Sequence, residues 1–210
     1  MIRTVRRAAL AVLALAAAGP AGALAQGLRI APSVGMYAPR SQLGDIQGPA
    51  GLVDFGKKES TLAYGLSLDL GRSDRPVAFR FGVVYAGRSD VPIDGVGCTN
   101  CQLRSTLLAA SAGLVVQPLP SVPVLRPYAL LGAGAKLYNF DPDTFTGELV
   151  EDQAQFVGHF GLGARLFPGA ALAFFAELSD YVSGFEFVDG DGDLQHDLFF
   201  LVGVTLGLGR

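Results

Sequence analysis

The strict alternation of apolar with small or polar residues over 60–88 constrains the fold of this chain more than any other feature of its sequence. The segment reads STLAYGLSLDLG, then RSDRP, then VAFRFGVVYAGR. Apolar side chains occupy every second position of both halves, which is the period of a β-strand, and the five residues between the halves are typical of a tight turn. The sequence therefore predicts a β-hairpin over 60–88.

The two faces of this hairpin differ in an unusual way. Bulky apolar side chains such as Leu66 and Phe81 share one face, whereas glycines, small residues and the charges Asp69 and Arg80 share the other. Transmembrane β-barrels have this polarity, because their apolar side chains face lipid and their small or polar ones face the interior. A soluble ligand-binding barrel of the same size would be apolar inside and polar outside. The pattern favours a barrel that crosses a membrane.

The first 25 residues indicate export. Three arginines precede an apolar stretch over 8–18 that is too short to cross a bilayer as a helix, and Ala23-Leu24-Ala25 fits a signal-peptidase cleavage site. We therefore expect a Sec-type signal peptide over 1–25 and one mature domain over 26–210. The signal holds three of the 16 basic residues, so 13 basic residues face 19 acidic ones in the mature part. This balance disfavours nucleic acid as a partner.

Six further segments repeat the alternation. They cover 28–38, 103–117, 125–139, 153–167, 171–183 and 196–209. Long connections over 39–59, 89–102, 140–152 and 184–195 alternate with short turns, as in outer-membrane barrels, which have short periplasmic turns and longer external loops. The sequence predicts an all-β fold, an eight-stranded antiparallel up-and-down transmembrane β-barrel. With an even strand count, both termini are expected in the periplasm.

At this level the chain resembles the small eight-stranded outer-membrane barrels of the opacity and small adhesin type. PYALLGAGAKLY over 127–138 and FAEL over 175–178 look like the fifth and seventh strands of that family. The last strand resembles the family's C-terminal assembly signal, with Arg210 in place of the usual terminal aromatic. The resemblance implies residence in the cell outer membrane, contact with its lipid and lipopolysaccharide, and recognition by the barrel assembly machinery.

Five charged residues fall on the small-residue face and are expected inside the barrel. They are Asp69, Arg80, Lys136, Arg165 and Glu177. A tight RSDRP turn would set Asp69 opposite Arg80 as a cross-strand pair. Charges in a narrow lumen are costly unless they are paired, so we expect a hydrogen-bonded ion network. Such a network fills the lumen; the alternative is an ion path or gate.

Two loop motifs raise the question of special chemistry. Cys98 and Cys101, in GCTNC, are the only cysteines and are expected to form a disulfide in an oxidising compartment. Asp189, Asp191 and Asp193 alternate as in a calcium loop, but Leu194 and Phe200 stand where an EF-hand has glycine and an acid. A solvated turn is the alternative to a calcium site there.

The enzyme hypothesis depends on His159. Lipid A deacylases, which are also barrels of this kind, carry a histidine and a serine two residues apart, whereas this chain reads His159-Phe160-Gly161. Ser179 is a second candidate nucleophile if it lies opposite His159, with no evident carboxylate to orient the pair. We find no phosphate loop or metal cluster, so we expect no cofactor and no enzyme. The sequence predicts a structural or surface-interaction role through the external loops, with a narrow porin-like channel or small-ligand carrier as the alternative.

Overall fold

The structure, a computed structural model, describes residues 27–48, 51–71, 75–95, 102–141, 152–166, 171–187 and 190–208, with the backbone alone described at 46–48, 51–52, 94–95, 102, 185–187, 190–193 and 208. Within these residues the chain forms ten β-strands. They are β1 (Leu28–Pro39), β2 (Gln42–Gly48), β3 (Gly51–Lys57), β4 (Thr61–Leu70), β5 (Val77–Gly95), β6 (Gln102–Val116), β7 (Leu125–Asp141), β8 (Gln153–Leu166), β9 (Leu172–Phe187) and β10 (Gly190–Leu208). Across the described ranges, no helix is long and apolar enough to span a bilayer.

Eight of the strands close into an antiparallel barrel. Its order is β1-β4-β5-β6-β7-β8-β9-β10, and β10 closes the ring by pairing with β1 from Leu28 opposite Leu208 to Pro39 opposite Asp197. We call the end that holds Leu28 and Leu208 the terminal end, and the opposite end, where β2 and β3 attach, the hairpin end. The predicted eight-stranded up-and-down barrel is confirmed.

The exposed outer face of the barrel is apolar. Leu62, Phe79 and Leu162 are 58%, 59% and 68% exposed, whereas the intervening Ala63 and Arg80 are 0% and 5% exposed. The alternation predicts this apolar outer face, and every barrel strand has exposed large apolar side chains on it. A continuous apolar belt of this size is stable only against lipid or another apolar surface.

Residues 39–59, which we expected to form a loop, contain a two-stranded hairpin instead. β2 and β3 pair from Gln42 opposite Lys57 to Gly48 opposite Gly51, and β3 pairs in turn with the end of β5 at Val53–Phe55. Gly44 has φ 118°, a conformation that glycine adopts readily. The alternation is present in Leu43, Val53 and Phe55, which are fully buried, but glycines and charges conceal it in the sequence.

Two other expected loops are also partly strand. β5 extends to Gly95 and β6 begins at Gln102, while β9 and β10 continue to Phe187 and from Gly190. Asp90 and Arg104, on opposite strands of this extension, face outward and form an exposed ion pair. The strands therefore continue beyond the apolar belt, where polar outward residues replace the alternation that marks a membrane strand.

The interior has a polar and an apolar part. Most of the buried charges, including Asp69, Arg80, Arg165 and Glu177, lie in the half nearer the terminal end. Buried apolar side chains fill most of the half nearer the hairpin end, where they surround Lys136 and Asp197. Tyr37, Phe55, Leu103, Leu107 and Phe199 belong to this apolar layer. Leu43, Val53 and Phe55 reach it from the β2–β3 hairpin, so the hairpin packs over that end of the barrel.

Candidate functional site

Asp69 and Arg80 lie directly opposite each other on β4 and β5. Arg80 Nε and Nη2 donate to the two carboxylate oxygens of Asp69 at 2.6 and 3.1 Å, in the bidentate geometry that suits a guanidinium and a carboxylate. Arg165, from β8 on the other side of the lumen, also donates to Asp69 through Nη2. One carboxylate therefore receives two arginines across the barrel.

Glu177 completes this group from β9. It accepts hydrogen bonds from Arg80 Nη1, from the Tyr128 hydroxyl at 2.8 Å and from the Ser179 hydroxyl at 2.7 Å. Arg80 thus bridges two carboxylates. We call Asp69, Arg80, Tyr128, Arg165 and Glu177 the basal cluster.

The Tyr128 ring lies between the two arginines of the basal cluster. The guanidinium carbons of Arg80 and Arg165 are 5.2 and 5.0 Å from the ring centroid, within the range of cation–π contacts. Gly163 lies opposite Tyr128 in the β7–β8 register and leaves room for the ring, because a Cβ there would be 2.4 Å from Tyr128 Cζ. The small-residue face of the strands is what lets this large aromatic group cross the lumen.

Lys136 lies apart from the other four predicted lumen charges. Its ammonium is fully buried and pairs with Asp197 of β10. The Tyr37 hydroxyl donates to Asp197 at 2.5 Å and the Tyr138 hydroxyl donates to it at 2.6 Å. We call Lys136, Asp197, Tyr37 and Tyr138 the upper cluster. Sequence reasoning missed Asp197, although its alternation with the outward Leu198 places it inside.

Lys58 is a buried lysine that the sequence did not reveal, because it falls in the expected loop. It connects β3 to β4, is 3% exposed, and lies with its Nζ 3.4 Å from the centre of the Tyr138 ring. Within the described structure its Nζ has no hydrogen-bond acceptor. Burial lowers the pKa of Lys58 from 10.5 to about 7; Asp197 opposes this shift and Lys136 adds to it.

His159 lies in the lumen but does not face Ser179. The register sets His159 opposite Tyr181 and Ser179 opposite Gly161, so the condition under which Ser179 would be a candidate nucleophile is not met. His159 Nδ1 is instead 2.8 Å from the Ser111 hydroxyl, and its ring stacks on Tyr181 at 4.0 Å. Ser179 is engaged with Glu177. Among the described residues, no carboxylate contacts the other ring nitrogen of His159, Nε2, which is buried without a hydrogen-bond partner.

Two tyrosines lie side by side on the outer face of the barrel. Tyr64 and Tyr85 are directly opposite each other on β4 and β5 and are 53% and 42% exposed. Phe156, near the start of β8 and therefore toward the hairpin end, is 76% exposed. Aromatic residues at the edges of the apolar belt are a feature of membrane barrels.

Several predicted features lie outside the described residues. These are the signal peptide over 1–25, the cysteines Cys98 and Cys101, and Asp189. Asp191 and Asp193 are described in their backbone only. No group of three or more metal-ligating side chains occurs in the part of the chain that the structure describes. The disulfide and the calcium site stay predictions.

The closed ring of eight antiparallel strands, its apolar outer belt and its polar, filled lumen define the fold of the small eight-stranded outer-membrane β-barrels. Comparison with solved structures shows the same fold. The outer membrane protein OprG from Pseudomonas aeruginosa superposes with a TM-score of 0.65 at 14% identity, over 88% of this chain and 97% of that one. Neisserial surface protein A gives a TM-score of 0.51 at 13% identity, over 85% and 96%. No protein-family model and no curated protein matches the sequence.

Proposed function

We propose that this protein is an integral outer-membrane barrel that is closed to solutes and acts in membrane integrity or surface interaction through its hairpin end. The observation that carries this proposal is the filling of the lumen at two levels. The basal cluster links β4, β5, β7, β8 and β9, and the upper cluster links β1, β7 and β10.

The burial of these side chains supports a closed lumen. Arg165, Lys136 and Asp197 are 1%, 0% and 1% exposed, although each lies in the interior of the barrel. An eight-stranded barrel leaves an interior just wide enough for side chains. Charges that are paired and hydrogen-bonded in such a space form a plug, because separating them would leave each ion buried without a partner.

Planar bilayer recording tests closure. The refolded protein should give no discrete current steps, whereas a narrow porin-like channel would give steps of reproducible size. Folding of each sample is checked independently by its heat-dependent shift on gels. Reproducible steps from folded wild-type protein would contradict the closed barrel.

The surface role requires the hairpin end to face outward and the termini to face the periplasm. Cysteine labelling tests this in a Cys98→Ser/Cys101→Ser background. Asp45→Cys lies in β2, and Val122→Cys lies in the β6–β7 turn at the terminal end; both native residues are exposed. A membrane-impermeant maleimide should label Asp45→Cys on intact cells and Val122→Cys only after permeabilisation. The reverse pattern would invert the proposed topology.

A carrier of small apolar ligands is the second candidate. The apolar layer at the hairpin end favours it, because a ligand that entered this half of the lumen by displacing packed side chains would contact apolar residues such as Leu103, Leu107 and Phe199. Binding of an apolar fluorescent probe, reduced by Leu107→Gln and unchanged by Leu131→Gln on the outer face, would support this role over a purely structural one.

A lipid-modifying activity is the least favoured function. The placement of His159 beside Ser111 and Tyr181 argues against it, because the histidine is engaged inside the lumen and away from the lipid-facing surface. Mass spectrometry of lipid A from cells with and without the protein tests this directly. Identical spectra are expected, and a mass change that His159→Gln abolishes would establish an enzyme.

A further inference from the structure

Positive charge exceeds negative charge inside the terminal end of the barrel. Among the described residues, four arginines have their positions on the lumen face of this half, against two carboxylates. The arginines are Arg29, Arg80, Arg126 and Arg165, and the carboxylates are Asp69 and Glu177. Both carboxylates are already bound to Arg80, and Asp69 also accepts from Arg165. The basal cluster is therefore short of acceptors.

This shortage appears as individual buried N–H groups of two arginines that have no acceptor. Arg165 is 1% exposed, yet only its Nη2 donates a hydrogen bond; its Nε and Nη1 have no partner among the described groups. Arg29 Nε is likewise buried without a partner, and its Nη2 makes a long 3.3 Å bond to the Gly71 carbonyl. Buried donors of this kind are normally satisfied, and a charged donor left alone is especially costly.

A third arginine stands at the same place. Arg126 lies directly opposite Arg165 on β7 and β8, and like charges in that position repel each other. Arg126 is half-buried at the mouth of the lumen, where its Nε donates to the Val122 carbonyl at 2.9 Å. Arg29 lies directly opposite Asp69, the carboxylate that accepts a hydrogen bond from Arg165. Three guanidinium groups thus converge where the lumen opens.

We infer that the terminal mouth of the barrel binds a small oxyanion, a phosphate or a carboxylate, between Arg29, Arg126 and Arg165. A guanidinium is a planar, permanently charged group with several N–H donors. The Nε and Nη1 of Arg165, which have no acceptor among the described residues, point to different edges of the group, and each can donate a single hydrogen bond to an oxygen of such an anion. The half-buried Arg126 provides the contact with the aqueous phase. This site is independent of the surface role proposed above, because it lies at the opposite end of the barrel.

Calorimetric titration of the refolded mature protein with inorganic phosphate tests the site. The detergent is a phosphate-free maltoside, and sodium chloride holds the ionic strength constant. Arg29→Gln and Arg126→Gln each remove one charged donor while leaving the Arg80 and Arg165 pairs of Asp69 in place. Each variant should weaken phosphate binding by about tenfold or more. Arg104→Gln, an exposed arginine at the hairpin end, is the matched control and should bind as wild type does.

Four other outcomes would overturn the inference. The absence of binding heat with either phosphate or acetate, at ligand concentrations from 10-fold the protein concentration up to ~10 mM, would show that no such site exists. Equal weakening by Arg104→Gln would place binding elsewhere. Stabilisation by chloride equal to that by phosphate in thermal unfolding would indicate screening alone. Binding of short-chain phosphatidic acid without binding of inorganic phosphate would assign the anion to lipid on the outer surface. A comparison of phosphate with acetate identifies which oxyanion the mouth prefers.

Discussion

At the scale of single residues, this barrel depends on how each buried charge is compensated. Asp69 accepts from two arginines, Glu177 from one arginine and two hydroxyls, and Asp197 from a lysine and two tyrosines. A carboxylate so surrounded recovers much of the hydration it lost on burial, whereas the removal of one partner leaves the others uncompensated.

Asp69→Ala should therefore destabilise the barrel strongly. The change leaves Arg165 without an ion-pair partner and removes two of the bonds of Arg80, at a cost of about 3–5 kcal/mol. Asp90→Ala is the control, because its pair with Arg104 is exposed, and such pairs contribute roughly 0–1 kcal/mol. Urea unfolding of the refolded proteins measures both. Equal urea midpoints for Asp69→Ala and Asp90→Ala would show that the basal cluster does not stabilise the barrel.

Lys58 should make stability depend on pH. Because its pKa is about 7 in the fold and 10.5 when unfolded, both states hold the proton below pH 7, and only the unfolded state holds it between those values. Stability therefore rises with pH above 7, by up to about 1.4 kcal/mol per pH unit. The groups that face Lys58 are the rings of Tyr138 and Phe140 and the charged groups of Asp197 and Lys136.

The comparison of two neighbouring lysines isolates this effect. Lys58→Met should raise the unfolding midpoint at pH 7 and flatten its increase from pH 7 to pH 9, because no proton is then lost on folding. Lys57→Met, one residue earlier and exposed, should keep the wild-type slope. An unchanged slope in Lys58→Met would mean that this amine keeps its proton in the folded barrel.

At the scale of strands, a large side chain can cross the lumen only where a glycine on the facing strand leaves room for it. Gly163 faces Tyr128, and a Cβ added at Gly163 would also lie 2.8 Å from the Ala176 carbonyl oxygen. Tyr128 has little freedom to move, because its hydroxyl is bound to Glu177 and its ring lies between two guanidinium groups. The spacing of β7, β8 and β9 is thus matched to a residue without a side chain.

Gly163→Ala should cost about 1–3 kcal/mol, the usual cost of overpacking a filled interior. Gly184→Ala in β9 is the matched control, because nothing lies within 4 Å of the added Cβ. Thermal unfolding monitored by circular dichroism measures both variants. The midpoint of Gly163→Ala should be lower than that of the wild type, and the midpoint of Gly184→Ala should be close to it. Equal midpoints would show that Tyr128 moves aside without loss of its contacts.

The sequence predicted the eight barrel strands and their faces, because apolar residues occur at every second position wherever the outer face of a strand contacts lipid. It failed for β2 and β3, whose buried Leu43, Val53 and Phe55 are interrupted by glycines and charges above the apolar belt. It predicted the Asp69–Arg80 pair, since a short hairpin fixes its own register. The partner of Lys136 is Asp197, 61 positions away, and only closure of the ring between β10 and β1 brings them together.

At the scale of the whole molecule, the basal and upper clusters close the lumen in series. Different residues form each cluster, and only β7 supplies members to both, through Tyr128 below and Lys136 and Tyr138 above. Loss of one cluster leaves the other in place. The apolar layer, which the β2–β3 hairpin covers, adds a further barrier at the hairpin end.

Conductance should therefore respond to paired changes and not to single ones. Arg80→Ala removes the bridge between Asp69 and Glu177, and Lys136→Ala removes the salt bridge to Asp197, yet each single variant retains the other cluster and should stay closed in planar bilayers. The double variant should show small current steps, because the removal of a large side chain at each of the two levels leaves room for water at both. Gel shifts on heating verify that each variant is folded. Current steps in either folded single variant, equal in size to those of the double variant, would show that one cluster alone closes the barrel.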